Sequence, residues 1–252
     1  MTDPKVYLLD GGTLVIDESD VHWHINLGNP VRFPVYSVLV EHPDGLILYD
    51  TGYDLEHVQA VLPFELPEQT PEQTIPGQLA KIGYTPGDID IVVNSHFHFD
   101  HVGGNKFLTN ATHLVHKMEL RQVRYPEPFE RLGYSDLSFD LPGVRYKPIS
   151  GDYEIAPGVT LIETPGHTAG HYSLLVEFEN ERNMLFCGDA AYTRTTLEKE
   201  WIAGFNLDPV KSVEAIRRLN YLGRVKDADI YPSHELEPFL TWKLAPEYYG
   251  GN

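Results

Sequence analysis

The chain has 252 residues, 42% of them hydrophobic, and 37 acidic against 19 basic residues give a formal net charge of −18. That balance argues against nucleic acids and anionic membranes, which bind through basic patches, and at long range it repels strongly anionic substrates. The single cysteine, Cys187, excludes an internal disulfide framework and a thiolate-rich metal site, and it fits a reducing cytoplasm. The length suits one domain spanning residues 1–252. No basic segment followed by an apolar run opens the sequence, and no stretch approaches 18 consecutive apolar residues. Neither a signal peptide nor a membrane span is therefore expected.

In chain order, residues 35–40 and 46–49 read as strands around the turn Pro43-Asp44-Gly45. Residues 54–61 and 75–82 read as helices. Residues 91–94 and 113–115 are strands, and 117–123 is a helix. Residues 126–146 hold Pro, Gly and aromatics without a period, and read as a loop covering a pocket. Residues 159–163, 173–177 and 184–187 are again strands. A helix starts at Asp208-Pro209, a good N-cap followed by Pro at the first helical position. Val213, Ile216 and Leu219 lie on one of its faces, and Gly223 is expected to end it. Strands and helices without strict βαβ alternation point to stacked layers.

The chemistry concentrates in Asn94-Ser95-His96-Phe97-His98-Phe99-Asp100-His101-Val102-Gly103-Gly104-Asn105, directly after the apolar run Ile91-Val92-Val93. Extended backbone would aim His96 and His98 to one side, and Asp100 and His101 follow from the next turn. Three imidazoles and a carboxylate so close together suit a borderline divalent metal. Four residues of one turn cannot surround a metal, so further ligands are expected downstream. Three more strand-to-loop positions offer them: Thr164-Pro165-Gly166-His167-Thr168-Ala169-Gly170-His171, Gly188-Asp189-Ala190-Ala191-Tyr192 and Pro232-Ser233-His234. His171 reads as a residue bonding backbone within its own turn. His22, His24, His42 and His57 read as ordinary isolated histidines.

His-x-His-x-Asp-His, then a distant Gly-His, a Gly-Asp and a late His, resembles the metallo-β-lactamase superfamily over nearly the whole chain. The resemblance implies an α/β fold, an αββα sandwich of two mixed β-sheets flanked by helices. It also implies two divalent metals at one edge, the first on His96, His98 and His167 and the second on Asp100, His101 and His234, with Asp189 bridging. Zinc leads, and Fe, Mn and Co also suit such ligands.

Asp50-Thr51-Gly52-Tyr53, the 164–171 stretch, Asp189-Ala190-Ala191-Tyr192-Thr193 and Ala203-Gly204-Phe205 are similar to the quorum-quenching N-acyl homoserine lactonases. Arg32-Phe33-Pro34-Val35-Tyr36-Ser37, residues 94–101 and Gly133-Tyr134-Ser135-Asp136-Leu137-Ser138-Phe139 are also similar to 4-pyridoxolactonase. That enzyme carries extra residues where 140–152 is short here. Both relatives imply lactone opening by a hydroxide bridging the metals, with catalytic roles for Asp100 and for Tyr192, whose phenol would donate to the carbonyl oxygen. The expected partner is a small lactone, N-acyl homoserine lactones first and 4-pyridoxolactone second. The resemblance leaves a homodimer open. Trp23, His24, Phe64, Phe129, Phe139 and Phe205 are the candidate pocket walls.

Rival readings fit less well. A β-lactamase would be secreted and often has Cys where this chain has Asp189. Glyoxalase II adds a basic C-terminal helical domain, whereas 18 residues follow His234. RNA nucleases of the superfamily conflict with the charge. A non-catalytic metal scaffold would leave Tyr192 without a role.

Overall fold

The computed structural model describes residues 3–251; Met1 and Thr2, the start of the stretch inspected for a signal peptide, and Asn252 lie outside them. The longest strands come first. β1 (Lys5–Asp17) and β2 (Pro30–His42) pair antiparallel from Lys5 opposite Glu41 to Asp17 opposite Pro30. The register shifts between Asp10 and Thr13, where Gly11-Gly12 interrupt the apolar pattern. That interruption hides β1 from a sequence reading. β3 (Gly45–Tyr49) pairs antiparallel with β2, and β4 (Ile91–Val93), β5 (Thr112–His116) and β6 (Arg145–Ile149) follow in parallel.

The second sheet holds β7 (Tyr153–Ala156), β8 (Val159–Glu163), β9 (Tyr172–Val176), β10 (Asn183–Phe186) and β11 (Ala228–Tyr231). Its neighbours are antiparallel except for β10 and β11. β12 (Tyr249–Gly250) returns to the free side of β1, so the first sheet runs β12-β1-β2-β3-β4-β5-β6.

Period-two alternation in β1 separates two cores. Val6 and Leu8 point to an inner core with Val38, Val40 and Tyr49, and with Leu161, Leu174 and Phe186 of the second sheet. Tyr7 and Leu9 point outward, to Leu39, Leu48, Ile75 and Leu79. The outer face of the second sheet buries Leu175, Leu185 and Cys187 against Ala215 and Leu219. The helices Ile75–Lys81 and Pro209–Val225 thus flank two face-to-face sheets, the four-layer sandwich that the resemblance implies.

The late helix starts as expected, with the Asp208 side chain accepting from the Val210 and Lys211 N–H groups. Gly223 does not end it: the helix continues to Val225, and a Cβ at 223 would stand 2.6 Å from Ile230 Cδ1 of β11. The glycine is there for close packing. Segment 126–146 is not wholly loop. It contains the 3₁₀ turn Arg131–Gly133, the helix Asp136–Phe139 and the first residues of β6. Among the described residues no helix is long and apolar enough to cross a membrane.

Candidate metal centre

β3, β4, β8, β10 and β11 deliver the loops that form one buried cluster at an edge of the sandwich. The strand of the first motif ends at Val93, yet His96 and His98 still come together, with ring centroids 4.6 Å apart. Asp50 organises this loop. Its carboxylate accepts from the Ser95 N–H and Oγ–H, both at 2.7 Å, and from the His101 Nδ1–H at 2.8 Å. The His96 Nδ1 lies 2.9 Å from the Ser95 Oγ. With that hydroxyl's hydrogen on Asp50, the imidazole is the donor.

The downstream histidines are oriented in the same way. His167 donates from Nδ1 to the Phe205 carbonyl at 2.8 Å, and His234 from Nδ1 to the Pro34 carbonyl at 3.1 Å. Each bond fixes a tautomer that leaves Nε2 facing inward, as is usual for metal-ligating imidazoles. Asp189 receives them. Its Oδ1 is 3.2 Å from His101 Nε2 and 3.0 Å from His234 Nε2, and its Oδ2 is 3.3 Å from His167 Nε2 and 3.7 Å from His96 Nε2. His167 Nε2 also faces His98 Nδ1 at 2.9 Å. Asp100 Oδ2 is 3.5 Å from His101 Nε2 and 3.6 Å from His234 Nε2.

These atoms form two donor groups, His96, His98, His167 and Asp189, and Asp100, His101, Asp189 and His234, within each of which the ligand atoms lie no more than 4.8 Å apart. Asp189 belongs to both. The structure therefore unites all seven residues expected as ligands. Two features show that the residues fit cations. The Nε2 atoms of His96 and His101 and the Oδ1 of Asp189 are buried without a hydrogen-bond partner, and buried polar atoms are rarely left so. Burial also pushes His98 down to about 4 and His167 down to about 3, so both are neutral and able to ligate at neutral pH. Burial opposes ionisation of Asp189, but His101 and His234 hold its carboxyl well below the usual range.

The Metallo-beta-lactamase superfamily profile matches residues 30–234. The chain belongs to the metallo-β-lactamase superfamily. Its relatives include the N-acyl homoserine lactonase of Bacillus thuringiensis, 35% identical over 98% of this chain and all of that protein. The N-acyl homoserine lactonase AttM of Rhizobium radiobacter is 32% identical over 99% of this chain and all of that protein. A solved N-acyl homoserine lactone hydrolase, with the product N-hexanoyl-L-homoserine at its catalytic metal center, superposes with a TM-score of 0.89. It is 34% identical, over 98% of this chain and all of that one.

Within this superfamily fold a cavity of about 250 Å³ has His98, Asp100, His167, Asp189 and His234 at its floor, with His96 and His101 buried behind them. Tyr192 lines it, its ring edge-on to His234 with centroids 4.8 Å apart. Burial, then Asp189 and Asp100, push its phenol well above its ordinary value, so it keeps its proton. Of the expected wall residues, Phe129 and Phe205 line the cavity. The others do not. Phe139 packs on Phe97 in a core, Trp23 stacks on His24 at the surface, and Phe64 faces solvent. Ile16, Phe33, Leu62 and Phe99 take their places. The segment 126–146 does cover the pocket, through Phe129, Glu130, Leu132 and Gly133.

His171 does more than bond within its own turn. Its Nδ1 pairs with Thr164 Oγ1, and its Nε2 accepts the Asp189 N–H at 2.9 Å, fixing the turn that carries the shared carboxylate. Gly188 in that turn has φ +51, and a Cβ there would lie 2.7 Å from His171 Nε2 and from Tyr49 Oη. Asp50 and Glu119 were not singled out as site residues by the sequence. Glu119 is fully buried and accepts from the Phe97 N–H at 3.3 Å and the Gly170 N–H at 2.7 Å, tying two ligand loops together. Among the isolated histidines, His22 Nε2 meets Thr193 Oγ1 at 2.8 Å, and His57 Nδ1 meets Ser135 Oγ at 3.4 Å.

Proposed function

We propose that this protein hydrolyses the lactone ring of N-acyl homoserine lactones. The observation that carries the reading is the pair of donor groups sharing Asp189 at the floor of an apolar-walled cavity. The full-length similarity to proteins named as N-acyl homoserine lactonases supports it. His96, His98 and His167 would hold one divalent ion and Asp100, His101 and His234 the second, with Asp189 serving both. When bound, such ions, zinc first and Fe, Mn or Co as alternatives, supply a nucleophile at neutral pH and polarise the lactone carbonyl.

The chain's own groups do the rest. The protonated Tyr192 phenol donates to the carbonyl oxygen, where negative charge develops as the ring opens. Phe33, Phe99, Phe129 and Phe205 receive the acyl arm and exclude water. Asp50, through His101 Nδ1, and the Phe205 and Pro34 carbonyls, through His167 and His234, hold the imidazoles in register. One water is consumed, the acyl–oxygen bond of the ring breaks, and a hydroxy carboxylate and a proton are released. The single, buried Cys187 suits a cytoplasmic setting.

A lactone panel on metal-loaded protein tests this, read with a pH indicator. It includes homoserine lactones of several chain lengths, plain γ- and δ-lactones and 4-pyridoxolactone. At least one homoserine lactone is expected to exceed a kcat/KM of about 10⁴ M⁻¹s⁻¹, the low end for a dedicated enzyme. The reading fails if 4-pyridoxolactone exceeds that value and no homoserine lactone does.

A further inference from the structure

One side chain of the cavity has no part in the chemistry above. The 3₁₀ turn Pro63–Glu65 is followed by Leu66 at φ 44. Within this turn Phe64 is 63% exposed and Glu65 only 7% exposed. The ordinary partition of apolar and charged residues is inverted here. The Glu65 carboxyl lines the cavity beside Ile16, Phe33, Leu62 and Phe99. Among the described residues no side chain or backbone N–H donates to it and no cation pairs with it. The groups that act on it electrostatically are two more acids, Asp100 and Asp20. Burial first, then those two carboxylates, push it up to about 8. Its oxygens can accept a hydrogen bond, and in its protonated form its O–H can donate one.

Among the described residues the carboxyl oxygens have no protein partner and stay accessible from the cavity, and a leucine would pack better against the apolar neighbours. The other polar side chains of the lining are engaged. Glu130 accepts from the Glu127 N–H and the Gln122 side chain, and Asn206 accepts from Ser212 Oγ. The imidazoles, Asp100 and Asp189 form the donor groups, and Tyr192 faces them. Glu65 is left to meet the substrate. An N-acyl homoserine lactone brings one further polar group into such a cavity, the amide on the ring carbon next to the carbonyl. Burying that amide among phenylalanines without a partner is unfavourable.

We propose that Glu65 is a specificity residue whose carboxyl hydrogen-bonds the amide of the acyl arm, selecting amide-bearing lactones over lactones with plain alkyl arms. The inference rests on the lactonase reading. The test compares N-hexanoyl-L-homoserine lactone with α-hexyl-γ-butyrolactone, which carries an alkyl arm on the same ring carbon and no amide. Wild-type, Glu65→Leu, Glu65→Ala and Glu65→Gln proteins are used as metal-loaded full chains.

Glu65→Leu is expected to lower kcat/KM for the amide substrate about 10-fold, mainly through KM, and to leave the alkyl lactone equal or better. Glu65→Ala should show the same loss of selectivity if the leucine variant does not fold. Glu65→Gln, which keeps a donor and an acceptor, should stay within about 3-fold on the amide substrate. The Tm of Glu65→Leu should rise, whereas a residue that merely supports the wall would lower it when replaced. An equal fall on both substrates, or no fall on the amide, overturns the specificity role and leaves the lactonase reading standing. A wild type that opens neither lactone overturns both.

Discussion

At the cavity floor, His96, His101, His167 and His234 are each held from behind through Nδ1, and Asp189 is held through its own backbone N–H. In the cavity wall, Phe33, Leu62 and Phe99 are fixed mainly by packing, and Phe129, Leu132 and Phe205 stand at the rim 65%, 49% and 45% exposed. Polar networks over-determine geometry, whereas apolar contacts tolerate substitution of similar volume. The floor can therefore fix one chemistry while the wall varies to fit different ligands. Changes to the floor should act on metal content and kcat, and changes to the wall on KM and selectivity.

The sharpest test of that division is Asp189→Ala, which removes the carboxylate common to both donor groups. Loss of bound metal by elemental analysis and a fall in kcat of more than ~10³-fold are expected, because the two sites act as a unit. Tyr192→Phe sits between floor and wall. It should cost ~10–100-fold in kcat, since one oxyanion donor is lost, with metal content unchanged. Asp50→Ala touches no substrate. Freed from its carboxylate, His101 should bind the second metal about 10–100-fold more weakly, measured by calorimetric titration of metal-free protein.

Smaller effects belong to the wall. Glu65 titrates higher in the folded protein than its ordinary 4.5, up to about 8. The folded state therefore binds the extra proton between those values, and stability falls as pH rises from about 5 to 8. Melting curves of Glu65→Gln across that range should lack this component. The smallest change is expected from His57→Ala, which should leave metal content and kcat as in the wild type.

The same division governs what the sequence disclosed. His96, His98, Asp100 and His101 lie within six residues after a short apolar strand, and His167, Asp189 and His234 each follow another strand, so local spacing exposes them. The helices near 55–61, 75–81, 117–122 and 209–225 were legible for the same reason, because caps and apolar periods are local, whereas the shorter helices Asp136–Phe139 and Arg194–Lys199 were not. Asp50 falls in a stretch that resembles the lactonases, but its role behind His101 was hidden because a single Asp after a strand looks like any turn residue. Glu119 was hidden because its acceptor role depends on Gly170, 51 residues away, folding against it. The wall was least legible. Phe64 and Glu65 are adjacent in a short 3₁₀ turn, and nothing in their spacing says that Glu65 rather than Phe64 faces the cavity. Phe139 and Phe129 belong to one segment, yet one fills a core and the other the cavity rim.

The bond from His234 Nδ1 to the Pro34 carbonyl joins residues 200 positions apart. All four members of the first donor group occur by Asp189, but the second group waits for His234. The chain thus contains every donor of the first group before the last donor of the second. Closing so long a loop is slow compared with local helix formation. The second donor group is therefore complete only once the amino-terminal strands have met β11, so an ion held there would report that closure.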